Sequence, residues 1–506
     1  MPRFRWDRLP RDIQLIILDL LVAERWLVFR KSPSDQPPRQ HLSTYAAVCR
    51  EWQAFFEKPN FRRLTLHQSD LPELERSVQG HRQQHVRWVW LRFQIPPYSC
   101  VDCRKRETQT QDRNHDLEFT RAIWALFRIL RSWKQDATAP KNMFILELSA
   151  HSPGDGAHYF KELSDRADDA AHLNMRGRVK HPNDRRHHWR RHRWNRQPEM
   201  AARHRVFGSK LGLRFDMRAA CVKKGTDLAK VPFVSHLIIR RQFHRAFSAK
   251  ALLVIADHLP RLELFQYEPW RGLDDGEHQQ MRDRDHGMLL SRAAKHSSSL
   301  AALSIFEDFT SHMHSGGMRF GHPVLAQLAL RASYGLQRMC LSFLVDAKDF
   351  FRDSWPGNED LQEANQPEWT NLEYLALTSH ALNPLEIDNL AVAAAKAARR
   401  MPKLSVMEIW TCGPGYACIF RYSFQKDDRP DLRLSSTWGC SLQKATAVAW
   451  QHVAQDRGWN ESRTKEVLLD HRYTSHGQII HLLDLQSTII DNISWRQLGR
   501  ESRWYP

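Results

Sequence analysis

Leu259-Pro260-Arg261-Leu262-Glu263-Leu264-Phe265 is a short apolar-alternating stretch introduced by a proline, and the chain returns to it. Met401-Pro402-Lys403-Leu404-Ser405-Val406-Met407-Glu408-Ile409-Trp410 is a second version. Trp369-Thr370-Asn371-Leu372-Glu373-Tyr374-Leu375-Ala376-Leu377 is a third, and Ser299-Leu300-Ala301-Ala302-Leu303-Ser304-Ile305 a fourth. Alternation at period two, bounded by a turn residue, predicts a strand. Outward from these copies the same pattern predicts strands over 61–66, 86–93, 143–148, 235–240, 262–267, 300–306, 336–345, 372–378, 404–411, 417–423 and 432–437. From Leu264 to Ile409 they recur at steps of about 32 to 40 residues, a repeat architecture by its period.

Helical patterns fill the intervals. Leu117 to Trp133 places Phe119, Ile123, Leu126, Phe127 and Leu130 on one face. Ala249 to Leu259, the Ala-rich Pro384 to Arg400 and Leu442 to Asp456 read the same way. A strand-helix alternation with each strand beside its predecessor gives a parallel sheet with helices outside. Repeated without closure it gives a curved α/β solenoid. An eight-fold α/β barrel competes, but the strands exceed eight and their spacing varies.

At 506 residues with 42% hydrophobic content and 18 Trp, the chain has apolar mass for a sizeable core. No apolar run is long enough to span a bilayer. Arg3, Arg5, Asp7, Arg8 and Asp12 leave no room for a signal-peptide core, so cytoplasm or nucleus is expected. Eight Cys in so long a chain form no dense disulfide framework and read as reduced thiols. Half of the net charge of +18 sits between Arg176 and Arg205, where eleven Lys or Arg face Asp184 and Glu199. The expectation is a disordered basic insertion near 176–205. Trp189, Trp194, His187, His188 and His192 within it keep a nucleic-acid-binding alternative open.

No catalytic set emerges. There is no Gly-rich phosphate loop, no His-Glu-x-x-His helix and no nucleophile elbow. Cys100-x-x-Cys103 is a lone pair with His115 nearby and no fourth ligand at matching spacing, so both read as loop cysteines. Gly413-Pro414-Gly415 reads as a turn flanked by the buried thiols Cys412 and Cys418. No catalytic residue, cofactor or metal is expected. An α/β-barrel enzyme with an unrecognised site is the remaining catalytic alternative.

The N-terminus carries a different signal. Pro10 and Asp12 suit a first helical turn. Ile13, Ile16, Ile17 and Leu20 follow at i, i+3, i+4, i+7 as one apolar stripe. After a Pro-rich spacer, Leu42, Tyr45, Ala46, Val48, Cys49 and Trp52 make a second helical pattern. Two such short helices cannot bury this surface alone and need a third element or a partner.

The pattern Leu9-Pro10-x-Asp12-Ile13, Ile17, Leu20, then Leu42, Ala46, Val48-Cys49 and Trp52 resembles an F-box over roughly the first 65 residues. Its spacer, with Pro33, Pro37 and Pro38, is longer than usual for that family. The resemblance implies a small all-α domain over 1–60 that docks on a Skp-family adaptor, and through it on a cullin scaffold. Leu9, Pro10, Ile13, Ile17, Leu20, Leu42, Val48 and Trp52 would form the adaptor-binding surface. The block through Ile239-Arg240-Arg241-Gln242 and Glu268-Pro269-Trp270-Arg271 is similar to an architecture recurrent among fungal F-box proteins.

The expected fold is therefore α/β: an N-terminal F-box, an irregular leucine-rich-repeat-like α/β solenoid (a horseshoe) over 61–456, and a partly helical tail over 457–506. The expected function is substrate recognition in a Skp-cullin-F-box ubiquitin ligase, without membrane contact. An unknown protein target would meet the strand ends, with Trp270, Asp308 and Trp410 as the leading target-binding residues and Tyr267, Glu268, Glu307, Asp346 and His380 beside them.

Overall fold

A computed structural model of the protein describes residues 6–27, 42–133, 143–160, 187, 189–190, 193–194, 198–215, 228–295, 299–309, 320–357, 368–413, 415–425, 428–470, 476–485 and 489–501. Twelve strands join in a single sheet, each next to its neighbour in sequence. They are β1 Arg63–His67, β2 Trp88–Gln94, β3 Ile145–His151, β4 His236–Ile239, β5 Leu264–Tyr267 and β6 Ala302–Phe306. The others are β7 Arg338–Asp346, β8 Tyr374–Thr378, β9 Val406–Gly413, β10 Tyr416–Ser423, β11 Asp431–Ser436 and β12 Arg463–Leu468. Among the described residues the sheet ends on two edges, β1 and β12, that do not pair with each other, so no barrel closes.

Pairing is parallel from β1 to β9. It turns antiparallel at β9–β10 and β10–β11, then parallel again at β11–β12. The expectation of a wholly parallel sheet fails at β10 for a simple reason. Gly413 pairs with Tyr416, so a two-residue connection joins β9 to β10, far too short for a crossover helix. Gly415 takes φ +77° in that turn, where an L side chain would be strained. Strand β12, of sequence Arg-Thr-Lys-Glu-Val-Leu, was invisible to the alternation because nearly all of it is exposed. Charged side chains are what a sheet edge needs to stay unpaired.

Alternation sorts the strands' side chains onto two faces. Leu146 and Leu148 of β3, Leu375 and Leu377 of β8, and Met407 and Ile409 of β9 enter the main core. Opposite them lie Phe119, Ile123 and Leu126 of the helix Gln109–Arg131, Leu252 and Ile255 of Ala249–Asp257, and Leu390 and Ala394 of Ile387–Arg399. Trp450 and Val453 of Lys444–Asp456 complete that layer. Two further helices, Gly276–Lys295 and Val324–Ser333, belong to it and were not predicted. The first is so rich in His, Gln, Arg and Asp that its periodic face is faint in sequence.

The second face of β6–β10 is also buried. Phe306, Cys340, Ala376, Trp410, Cys412, Ala417 and Ile419 pack there against Ile479, Ile480, Leu483, Ile489, Ile490 and Leu498. The residues after 456 thus contribute β12 and, with the helices His476–Leu482 and Asn492–Glu501, roof the second face. The Ser304 hydroxyl donates to the Ile489 carbonyl (3.1 Å), tying the roof to β6. The two roof helices touch at Gly477, where an added Cβ would lie 2.1 Å from the Leu498 carbonyl oxygen.

Candidate functional site

Helices Arg11–Leu27, Leu42–Ala46 and Arg50–Phe61 form a small N-terminal unit. Its core is Leu18 and Phe56, packed with Trp6, Leu21, Val22, Tyr45, Ala46, Trp52 and Phe55. At about 100° per residue, Ile13, Ile16, Ile17 and Leu20 centre on a direction roughly 130° from Gln14, Leu18, Leu21 and Val22. One helix cannot turn both faces inward. The core takes the Leu18 face, and the stripe is left outside: Ile13 is 43%, Ile16 53% and Leu20 55% exposed, with Val48 60% exposed after the second helix. Pro10 is exposed too, whereas Leu9 and Ile17 are half-buried and the side chain of Leu42 lies outside the described residues. Trp52, expected on the adaptor surface, packs half-buried against the small core. It turns inward, with its ring 5.2 Å from Trp6 and 5.6 Å from Phe56.

Glu57 anchors this unit to the short helix His81–His85 between β1 and β2. It meets Gln53 Nε2 at 2.9 Å, His81 Nε2 at 2.8 Å and Arg82 at 2.7 Å. Burial would raise its pKa, but the bonds from His81, Gln53 and Arg82 prevail and hold it at about 2.

The residues expected to meet a target at the strand ends are mostly interior. Trp270 is buried and its Nε1 donates to the Arg241 carbonyl (2.7 Å). Asp308 is fully buried and ion-paired with Arg241. Trp410 is fully buried against the Phe343 ring at 5.0 Å. Tyr267, Glu268, Glu307 and Asp346 are buried as well, and His380 alone of that set is exposed. The physical reason is twofold. The roof covers this side of the sheet, its Asp491 N–H donating to Glu268 (2.6 Å). The acids also serve arginines of neighbouring units: Glu147 with Arg240, Glu307 with Arg282 (2.6 Å), Glu408 with Arg421 (2.7 Å) and Asp155 with Arg245 (3.0 Å). Burial works to raise the Glu307 pKa, but Arg282 and His286 hold it well below the carboxylate range. Glu268 goes the other way, raised by burial and by the neighbouring Asp491.

Beyond the roof, β1–β3 carry a layer of arginine on tryptophan. Arg63 lies over the Trp88 ring at 4.3 Å. Arg92 and Arg240 flank the Trp90 ring at 5.0 and 5.1 Å. Trp88 donates to Glu147 (2.9 Å) and Trp90 to Ser149 (3.0 Å). Arg63, Trp88 and Arg92 are half-buried, so one side of this layer faces outward. Sequence reasoning missed it, although alternation puts 88, 90 and 92 on one face.

Much of the basic stretch 176–205 lies outside the described residues, but its described parts are ordered. Trp189–Arg190 pairs antiparallel with Arg193–Trp194. The helix Met200–Phe207 buries Ala202, Arg205, Val206 and Phe207, and the Arg205 Nε donates to the Lys105 carbonyl (2.7 Å). Within the stretch expected to be disordered, the described residues from Met200 onward are thus helical. Two groups among the described residues have metal-ligand geometry: Cys100, His158 and His187, and Glu107, Asp112 and His115. His115 thus stands apart from the cysteines. The second group is already served by cations, since Glu107 pairs with Arg245 (2.8 Å). Burial first, and then Arg245, lower the His115 pKa.

A family model of unknown function, DUF6546, matches residues 295–491, from the end of helix Gly276–Lys295 to the start of the last roof helix. It covers less than half of the chain and includes β6–β12 with most of the roof. No curated protein and no solved structure matches the chain.

Proposed function

We propose that the chain is the substrate-recognition subunit of a Skp-cullin-F-box ubiquitin ligase, an adaptor without chemistry of its own. The N-terminal unit is then an F-box, and the long sheet an irregular leucine-rich-repeat-like horseshoe. The observation that carries this reading is the outward stripe of Ile13, Ile16 and Leu20 with Val48, beside a core that is already complete without it. Contiguous exposed apolar side chains are costly to leave in water and mark a docking face. The positions left outward include four at which the F-box resemblance expects adaptor contact: Pro10, Ile13, Leu20 and Val48.

Because the roof occupies the second face of β6–β10, the target surface moves to the open arginine-tryptophan layer of Arg63, Trp88 and Arg92. A cationic guanidinium on an indole face suits an anchor for an acidic target segment.

The test is co-purification of the full chain with a Skp-type adaptor. Burying one such Ile or Leu is worth roughly 1.5–3 kcal/mol, and about 1.4 kcal/mol is tenfold in affinity. Ile13→Ser with Leu20→Ser should weaken capture at least tenfold without lowering the melting temperature, whereas Leu18→Ala should unfold the unit. A parent chain that captures no adaptor, or a double variant that captures it like the parent, would refute the reading.

A further inference from the structure

Two loops at the same rim bring three metal-ligating side chains together, and the basic stretch adds a fourth. The loop after β2 carries Cys100 and Cys103, and the segment after β3 carries His158. His187 arrives from the basic stretch, 84 residues beyond Cys103. Cys103, His158 and His187 are buried and Cys100 is half-buried. Cys100 Sγ lies 3.5 Å from His158 Nδ1 and 3.9 Å from His187 Nε2, and Cys103 Sγ lies 3.6 Å from His187 Nε2. The ligand atoms of Cys100, His158 and His187 all fall within 4.8 Å of one another.

These distances have a simple reading. A tetrahedral ion bound at about 2.3 Å by sulfur and about 2.0 Å by nitrogen has sulfur–nitrogen edges of about 3.5 Å. The three separations, 3.5, 3.6 and 3.9 Å, lie at that edge or a few tenths of an ångström beyond it. The imidazoles are also set for the task. His158 Nε2 lies 3.1 Å from the Tyr98 carbonyl. A carbonyl can only accept, so that nitrogen carries the proton and Nδ1 presents its lone pair toward the sulfur. The His158 ring stacks on Tyr98 (5.2 Å between centroids), and His187 packs edge-on against His158 (4.7 Å) and Tyr159 (4.9 Å). Tyr98 is itself fixed, its hydroxyl donating to Asp155 (3.0 Å). Gly154 makes room for the Tyr98 ring, since a Cβ there would lie 2.6 Å from it.

We propose that Cys100, Cys103, His158 and His187 bind one zinc(II) ion as a structural Cys2His2 site. Two thiolates with two imidazoles select zinc over the harder divalent ions. Cys103 now donates its thiol to the Cys100 carbonyl (3.2 Å), and on binding it turns that sulfur, 3.6 Å from His187 Nε2, onto the ion. Four protein ligands leave no open position for substrate, so the ion staples rather than catalyses. What it staples is the basic stretch, through His187, onto the ends of β2 and β3. Each thiol loses its proton on binding, so affinity falls as pH falls. The site is independent of the adaptor reading and stands or falls without it.

The experiment uses the full chain. Metal analysis of protein purified from zinc-supplemented cells should give about one zinc per chain. X-ray absorption at the zinc edge should give a first shell of two sulfur and two nitrogen neighbours. Titration of the stripped chain with cobalt(II) should give the strong visible bands of a tetrahedral thiolate site. Cys103→Ser and His187→Ala should each lower zinc affinity at least tenfold, and His115→Ala should leave it unchanged. The spectra need no variant, so misfolding of a mutant cannot hide the answer. A parent chain that binds neither ion, a Cys100–Cys103 disulfide in its place, or a zinc shell without sulfur would overturn the site.

Discussion

Replacing Glu147 probes how the units of the sheet are held together. Glu147 and Arg240 both have fully buried side chains. The Arg240 Nε donates to Glu147 at 2.6 Å, Trp88 Nε1 donates at 2.9 Å, and Arg63 stands 3.6 Å away. Asp491 also stands 3.9 Å from Arg240. Glu147→Ala therefore leaves a guanidinium out of water without its main partner, which costs about 3–5 kcal/mol. With about 2.1 cal/mol/K of unfolding entropy per residue, a chain of this length shifts by roughly 1 °C per kcal/mol, so the melting temperature should fall about 3–5 °C. Glu147→Gln keeps the shape and should cost less, about 1.5–3 kcal/mol for the charged hydrogen bonds. The decisive variant is Glu147→Leu with Arg240→Met. Removing both charges should recover most of the loss, to within about 2 kcal/mol of the parent. Thermal and urea unfolding of the three variants measure this. If the alanine variant melts within a degree of the parent, or the double variant is no better than the alanine variant, the stranded-charge argument is wrong.

Two further outcomes follow from the geometry. Glu57 has a folded pKa of about 2, below its ordinary 4.5. A depressed carboxylate stabilises fully above its unfolded pKa and loses that contribution as pH falls through the folded one. The stability gap between the parent and Glu57→Gln should accordingly be full at pH 6 and shrink from about pH 4.5 toward pH 2; a gap that is constant over acid titration contradicts the assignment. Gly477→Ala would force a Cβ to 2.1 Å from the Leu498 carbonyl oxygen. The roof helices should part, exposing Ile480 and Trp410 to a hydrophobic dye while the rest of the sheet melts as before, and unchanged dye binding would count against a roof packed this way.

The tryptophan and arginine layer shows how far alternation alone can go. Period two places 88, 90 and 92 on one face of β2, but the partners Arg63 and Arg240 come from β1 and the end of β4. The same holds for the cysteines. Cys100-x-x-Cys103 is visible as a pair, yet its imidazoles lie 55 or more residues away, at 158 and 187, with no local spacing to announce them. His115, closer in sequence, folds onto Glu107 and Asp112.

Local pattern was sufficient where one physical signal dominates. Each strand predicted by alternation is a strand of the sheet, because burying one face against helices demands that pattern. The N-terminal stripe was legible too, since helical spacing alone makes Ile13, Ile16, Ile17 and Leu20 a face. Which way that face turns depended on tertiary packing, where Leu18 and Phe56 form the core and leave the stripe outside. Tertiary structure likewise turned Trp270, Asp308 and Trp410 from apparent surface groups into interior ones. An acid or an indole at a strand end reads as exposed until a distant arginine pairs with it or a distant helix covers it. Arg241 and the roof after 469 do both, from sequence separations over which no local periodicity carries information.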